Sequence, residues 1–460
     1  MTGPDTVAPI ARGVRQYTDL GNAERLVAQH GADLHYCHAL GSWLIWDGRR
    51  WNTDNTGEVM RRAKDTVRAM YGEAALLDQS DERQALVKHA QRSEEARRLR
   101  SMIDLATSEP GIPVTVDELD TDPHLFTAAN GTVDLRTGEL RDHQRADLIT
   151  KLSPAAYDPE AECPRWLTFL DGIGLTGDLA GYVRRLAGYS LTGLSTEQIL
   201  AILYGTGANG KTTLLEAVRH VAGDYGAQTA TDTLMDRAQG TIPNDLARLR
   251  GARFVSAVET DEGRRLAEGT VKRITGGDAI AARFLNREWF EYRPAFTVWL
   301  AANHKPTVRG TDEAIWRRIH LVPFTTTIPE ADRDHDLPDK LRGEAPGILA
   351  WAVAGAVEWH RDGLNPPAEV RQATNSYRGE MDTLGDFLTE CTEEGSDEYV
   401  TKAALFAAYV KWCEDSGERP LSQRQLARRL TDRGLDDYQQ PTGDRARCWL
   451  GVRLTSEARP

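Results

Sequence analysis

The chain runs to 460 residues, long for one ordinary domain, and its length suggests about three. With 40% hydrophobic and 27% charged residues it fits a soluble globular protein; no apolar run approaches the roughly 20 residues of a membrane helix, so no membrane partner is expected. The formal charge of −13 argues against wholesale coating of nucleic acid but leaves room for a local basic channel, because steering follows the distribution of charge. Residues 1–18 read as a flexible tail, and Met1 to Arg15 lack the apolar core of a signal peptide. Residues 19–153 read as an N-terminal α+β domain. Within it, 34–53 form an aromatic hairpin whose Trp43, Trp46 and Trp51 serve packing. Residues 57–107 are helical and charged, with Arg92 to Arg100 as a solvated face. Residues 124–151 carry N-G-T-V-D-L-R-T-G-E-L, a hairpin turning near Arg136 to Gly138.

Residues 154–196 read as a helical collar. Pro154 to Pro164 look like a linker, followed by helices at Trp166 to Ile173 and Leu179 to Tyr189. A core follows at 197–328, a helical lid at 329–379 that includes Gly347 to His360, and a last domain at 380–460. Five scattered cysteines (Cys37, Cys163, Cys391, Cys413, Cys448) include no C-x-x-C pair. Neither a zinc knuckle nor a disulfide framework is indicated, and a reducing cytoplasm is expected.

The chemistry concentrates in the core. Gly205, Thr206, Gly207, Ala208, Asn209, Gly210, Lys211, Thr212 and Thr213 fit the phosphate-loop pattern G-x-x-x-x-G-K-[ST]. The apolar run Ile199 to Tyr204 before the loop suits a buried strand, and Thr212 to Arg219 after it suit a helix. Loop and helix N–H groups would face the phosphates of ATP, Lys211 would reach the β- and γ-phosphates, and the Thr212 hydroxyl would ligate Mg²⁺. Ala252 to Val258 read as a second strand ending at Glu259, an acid for the metal or for the attacking water, with Asp261 and Glu262 as neighbouring alternatives. Phe296 to Ala302 read as a third strand ending at Asn303, which could report the γ-phosphate. Arg317 and Arg318 begin a further strand, and either could be an arginine finger given to a neighbouring subunit.

The run Lys272 to Arg283 (K-R-I-T-G-G-D-A-I-A-A-R), followed by L-A-A-N-H-K-P and W-R-R-I, resembles the superfamily 3 helicases, in particular the phage and plasmid primase–helicases related to the poxvirus primase–helicase. The pieces W-L-I-W-D-G-R-R-W, N-G-T-V-D-L-R-T-G-E-L and R-R-L-A-G-Y-S-L-T-G resemble the domain that precedes the ATPase there, so the likeness spans roughly 35–455. The resemblance implies an α/β fold with an AAA+-like P-loop ATPase core. It implies Walker A roles for Lys211 and Thr212, the Walker B acid at Glu259, the sensor at Asn303 and the finger at Arg317 or Arg318. It also implies a ring, commonly a hexamer, with a pore hairpin at Ile280 to Phe284 and Trp289 to Tyr292. Arg287 at its tip would contact DNA phosphate, Arg283 would either contact DNA or brace the hairpin, and Lys272 would sense nucleotide or pair with an acid. Two departures stand out: Thr260 follows Glu259 where many members carry a second acid, and no primase domain or zinc segment is recognisable, so no primer synthesis is expected.

Residues 380–455 read as helices at Leu384 to Cys391, Leu405 to Asp415 and Ser422 to Arg433, then strands at Asp437 to Gln440 and Arg445 to Leu454, the order of a winged helix. Arg424, Arg428 and Arg429 on the third helix, with Arg445 and Arg447 on the wing, suit DNA; a solvated helix serving protein contacts is the alternative. The whole is expected to be an ATP-driven, Mg²⁺-dependent ring helicase of a phage, prophage or plasmid-like element, working on DNA in a bacterial cytoplasm beside a separate primase. A replication initiator that melts an origin and a small-molecule kinase are the rival readings.

Overall fold

The computed structural model describes residues 16–236, 244–258, 264–283, 289–310, 312–417, 420–439, 446–456 and 458. The chain divides into two compact units, Met1–Pro306 with Arg317–Arg371, and Thr307–Trp316 with Gln372–Pro460.

The first unit opens with α1 (Asp19–His30), whose N-cap Thr18 accepts a hydrogen bond from the Gly21 N–H. A meander of β1 (Leu34–Cys37), β2 (Ser42–Trp46) and β3 (Trp51–Thr53) follows. Trp51 is buried and donates its indole N–H to Arg145 O at 2.9 Å, while Trp43 and Trp46 pack half-buried against the two local cores. Helices α2 (Glu58–Ala75), α3 (Ser80–Ser93) and α4 (Ala96–Ala106) close this part. On α2 the buried residues Val59, Ala63, Val67, Met70 and Ala74 recur at helical spacing, which is why this charged sequence still packs one face. A second meander, β4 (Leu125–Ala128), β5 (Gly131–Asp134) and β6 (Glu139–Arg141), adds a strand before the expected hairpin. Its turn is held by the Asp134 carboxylate, which accepts from the Arg136 N–H at 2.9 Å.

The stretch 154–164 is not a solvated linker. Ala155, Tyr157 and Cys163 are buried in the main core, and the Tyr157 hydroxyl donates to Gly138 O at 2.9 Å. Apolar side chains, invisible as a periodic pattern in a proline-rich segment, tie it down.

The centre is a five-stranded parallel sheet built from β7 (Leu200–Tyr204), β8 (Gly226–Gln228), β9 (Phe254–Val258), β12 (Thr297–Ala302) and β13 (Ile319–Pro323), in the order β13-β7-β12-β9-β8. Every residue of β12 is buried, as expected where both faces of a parallel sheet are covered. The elements around it are α5 (Pro164–Gly172), α6 (Gly177–Tyr189), α7 (Lys211–Ala222), the short α8 (Asn244–Ala247), α9 (Glu268–Thr275), the ribbon of β10 (Ile280–Ala282) and β11 (Phe290–Tyr292), α11 (Leu337–Gly343) and α12 (Ala345–Asp362). Helices α6 and α12 cross in backbone contact: a Cβ on Gly188 would overlap Ala356 N, and one on Gly355 would overlap Arg184 O. Arg253, at the entry to β9, is buried and donates to Leu125 O and Leu191 O at 2.9 Å each and to Asp122 O at 3.4 Å, with its guanidinium 4.5 Å from the Tyr225 ring centroid. It bolts β4 and the turn after α6 to the sheet.

The second unit contains α10 (Glu313–Trp316), and α13 (Ala368–Glu380) leads into it. It continues with α14 (Thr383–Cys391), β14 (Thr392–Thr401), α15 (Lys402–Asp415), α16 (Gln423–Asp432), β15 (Asp436–Gln439) and β16 (Arg447–Leu454). The three strands pair antiparallel in the order β14-β16-β15. Ser422 caps α16 with a capping box to Gln425.

Candidate functional site

The ends of the parallel strands define the site, the edge at which α/β sheets hold ligands. Ala302, the last residue of β12, lies in register with Tyr204, the last of β7, and Ala301 with Val258, the last of β9. The glycine loop leaves β7 and enters α7 at Lys211. Gly210, at φ 76°, is the N-cap; a Cβ there would lie 2.6 Å from Ile173 Cγ2, so both backbone and packing call for glycine. No side chain caps α7, which leaves its first N–H groups and the positive end of its dipole directed at the loop. Thr206, Ala208 and Thr212 are exposed, Gly207 and Thr213 partly so, and Asn209 and Gly205 are buried.

Lys211 is 5% exposed, and its ammonium uses all three donors. Nζ lies 2.7 Å from Gly205 O, 2.7 Å from Asn209 Oδ1 and 3.1 Å from Asn303 Oδ1. Burial pulls its pKa down to about 8, so the charge is still largely present at neutral pH. Asn209 also donates through Nδ2 to Phe324 O at 3.4 Å, linking the loop to the exit of β13. Lys211 and Asn303, distant in sequence, thus meet at one point.

A cleft of about 710 Å³ opens beside the loop, lined by Ala208, Gly210 and Thr213 together with the apolar Phe169, Ile173 and Ile328. Sequence reasoning missed this cleft, because its walls come from the collar and from the chain after β13. For a phosphate-bound metal, the residues at hand fit modestly. Thr212 offers an exposed hydroxyl in the first turn of α7, and Mg²⁺ commonly takes only one or two protein ligands beside phosphate. Among the described residues no cluster of three or more His, Cys, Asp or Glu could hold a metal by itself. Glu259, Asp261, Glu262, Arg287 and Arg445 lie outside the described residues.

The two arginines before β13 differ sharply. Arg318 is 7% exposed and donates from Nε to Thr275 Oγ1 at 3.1 Å and from Nη2 to Gln198 Oε1 at 3.2 Å, so it braces α9 against the sheet. Arg317 is exposed, with Nη2 3.1 Å from the same Gln198 oxygen. Gln198, held at φ 54°, went unremarked in the sequence. In the ribbon, the Arg283 guanidinium lies 5.0 Å from the Trp289 ring centroid.

In the second unit Arg424 and Arg428 are exposed on α16, Arg428 3.9 Å from Asp432. Arg429 does not share that side. It is half-buried and donates to Arg309 O, as the 100° step per residue requires. Arg447 pairs with Asp437 at 2.7 Å, and Lys402 bridges that same carboxylate (2.7 Å) and the Trp449 ring (4.0 Å).

The fold and this site define a mixed α/β protein with a five-stranded parallel sheet and a glycine loop at its carboxyl edge. A model described as D5 N terminal like matches residues 23–173, one described as Poxvirus D5 protein-like matches 379–436, and a family of unknown function matches 203–318. A provisionally named helicase of Acanthamoeba polyphaga mimivirus is 27% identical over 60% of this chain and 31% of its own length. Another, from Frog virus 3, is 26% identical over 64% of this chain and 39% of its own. The chain thus spans about a third of the length of the curated relatives it matches. The apo structure of the NrS-1 C-terminal region covers 95% of this chain and all of its own at TM-score 0.53 and 10% identity, a likeness of fold. With D5-like segments toward both ends, the chain is similar to primase–helicase-like proteins of large DNA viruses, in keeping with its motifs. Among the described residues no helix is long and apolar enough to cross a membrane.

Proposed function

We propose that this chain is an ATP-driven DNA helicase of a viral or mobile replicating element, assembled as a ring with ATP between subunits. The observation that carries it is the meeting of Lys211 with Asn303 across the adjacent parallel strands β7 and β12. Phosphate oxygens would replace Gly205 O, Asn209 Oδ1 and Asn303 Oδ1 around the Lys211 ammonium, with the N–H groups of the α7 N-terminus as further donors. Asn303, released from the lysine, would then hydrogen-bond the attacking water or the γ-phosphate. Glu259 would accept the proton of that water as the bond from γ-phosphorus to the bridging oxygen breaks. Mg²⁺, held by Thr212 and Glu259, would neutralise charge on the phosphates. The cleft beside Ala208, with apolar walls at Phe169, Ile173 and Ile328 and polar ones at Thr326 and Arg333, suits the base and ribose.

Arg317, exposed where Arg318 is buried, is the finger candidate toward a neighbouring subunit. The sheet order, with β12 between β7 and β9, supports the AAA+-like reading, and the element order of the second unit supports a winged helix. Arg424 and Arg428 are its proposed DNA contacts. The test is ATP turnover and forked-duplex unwinding by the wild type and Lys211→Ala. The variant should lose both while melting like the wild type; near-normal turnover by Lys211→Ala would end this reading.

A further inference from the structure

The ribbon of β10 and β11 has two unlike faces, assigned by its register of Ala281 opposite Glu291 and Ala282 opposite Phe290. One face is anchored. Ile280 and Ala282 are buried, the Arg250 guanidinium lies 5.2 Å from the Phe290 ring centroid, and the Tyr292 hydroxyl donates to Leu246 O at 2.5 Å. The other face carries Ala281 and Glu291, both exposed, with Arg283 and Trp289 at its open end. Alternation calls for polar residues on such a face, yet it bears a tryptophan with 53% of its surface exposed. Trp289 is the one tryptophan among the exposed large apolar side chains of the described residues.

Its setting says what would cover it. The Arg283 guanidinium, 5.0 Å from the indole centroid, braces one face of the ring and leaves the remainder of its surface to solvent. Arg283 beside the indole and the exposed Arg293 at the base of the ribbon outnumber Glu291, the acid among the described residues of this face, and this local positive excess favours a polyanion. A flat aromatic ring beside cationic groups is the arrangement that stacks unpaired bases, whereas a duplex keeps its base faces covered.

We propose that Trp289 is a base-stacking platform for single-stranded nucleic acid, with Arg283 as its positioning residue. This rests on the helicase reading and adds that the ribbon grips bases as well as phosphates.

The test measures binding of a labelled oligothymidylate, and of an abasic strand of equal length, across a salt series. Trp289→Ala should weaken oligothymidylate binding roughly 5- to 150-fold, the usual worth of one stacked base. The slope against salt should not change, because no phosphate contact is lost. Trp289→Phe should recover most of the affinity, and Trp289→Leu, apolar but not flat, should not. On the abasic strand, wild type and Trp289→Ala should bind alike. Equal binding of oligothymidylate by wild type and Trp289→Ala overturns the platform and leaves the helicase reading standing. So does an equal loss on the abasic strand, or a loss tracked by a change in assembly size in sedimentation. A wild type that binds neither strand overturns both.

Discussion

Replacing Arg253 by methionine should strip the bolt between the second meander and the parallel sheet while keeping most of the side chain's bulk. The guanidinium makes two bonds of 2.9 Å to backbone carbonyls, a weaker one of 3.4 Å, and a ring contact of 4.5 Å. Each good charge-assisted bond is worth about 1.5–3 kcal/mol and the ring contact about 0.5–2 kcal/mol, offset by the relief of a buried charge. A net loss of about 3–4 kcal/mol follows, dominated by carbonyls left without a donor. For a cooperative unit of about 150–250 residues, that lowers Tm by roughly 6–16 °C. Thermal melts followed by circular dichroism would read it, with Arg253→Lys, which keeps the charge and loses the fork, falling between. A melting temperature for Arg253→Met within about 1 °C of the wild type would refute the bolt.

Mixing Arg317→Ala subunits with Lys211→Ala subunits should restore part of the ATP turnover that neither has alone, because each supplies the half-site the other lacks; mixed assemblies without recovery would exclude a finger in trans. His320 sits in β13 with Nδ1 2.7 Å from the Tyr182 hydroxyl, and burial drives its pKa from 6.5 to about 4. Between those values the unfolded chain binds the proton that the folded chain refuses, so stability should fall as pH drops from 6.5 toward 4 and level off below. His320→Gln, which keeps an acceptor, should flatten that limb in denaturant titrations; a limb parallel to the wild type's would discard the assignment.

Much of the loop region was legible in the sequence because its signals are local. The spacing of Gly205, Gly210 and Lys211 fixes loop and helix within one segment, and the apolar runs before Asn303 and before the glycine loop are long enough to read as buried strands. What escaped reading depends on distant partners. The acidic stretch 390–398 carries no strand pattern, yet most of it forms β14, where Arg453 on β16 neutralises Glu393 at 2.5 Å and Glu398 at 3.1 Å. Arg253 reads as one more strand residue until its carbonyl partners, more than sixty positions away along the chain, are in place. Arg317 and Arg318 are chemically identical neighbours, and only Thr275 and Gln198 tell them apart.

The crossing of α6 and α12 at Gly188 and Gly355 has a mechanical meaning. Where the two backbones touch there is no side-chain layer to slide or repack, so a shift of one helix at the crossing carries the other with it. Segments that sequence assigned to a collar before the sheet and a lid after it therefore transmit displacement together. A push delivered at the cleft beside α5 would be felt at the far end of α12, with no hinge at the crossing to absorb it.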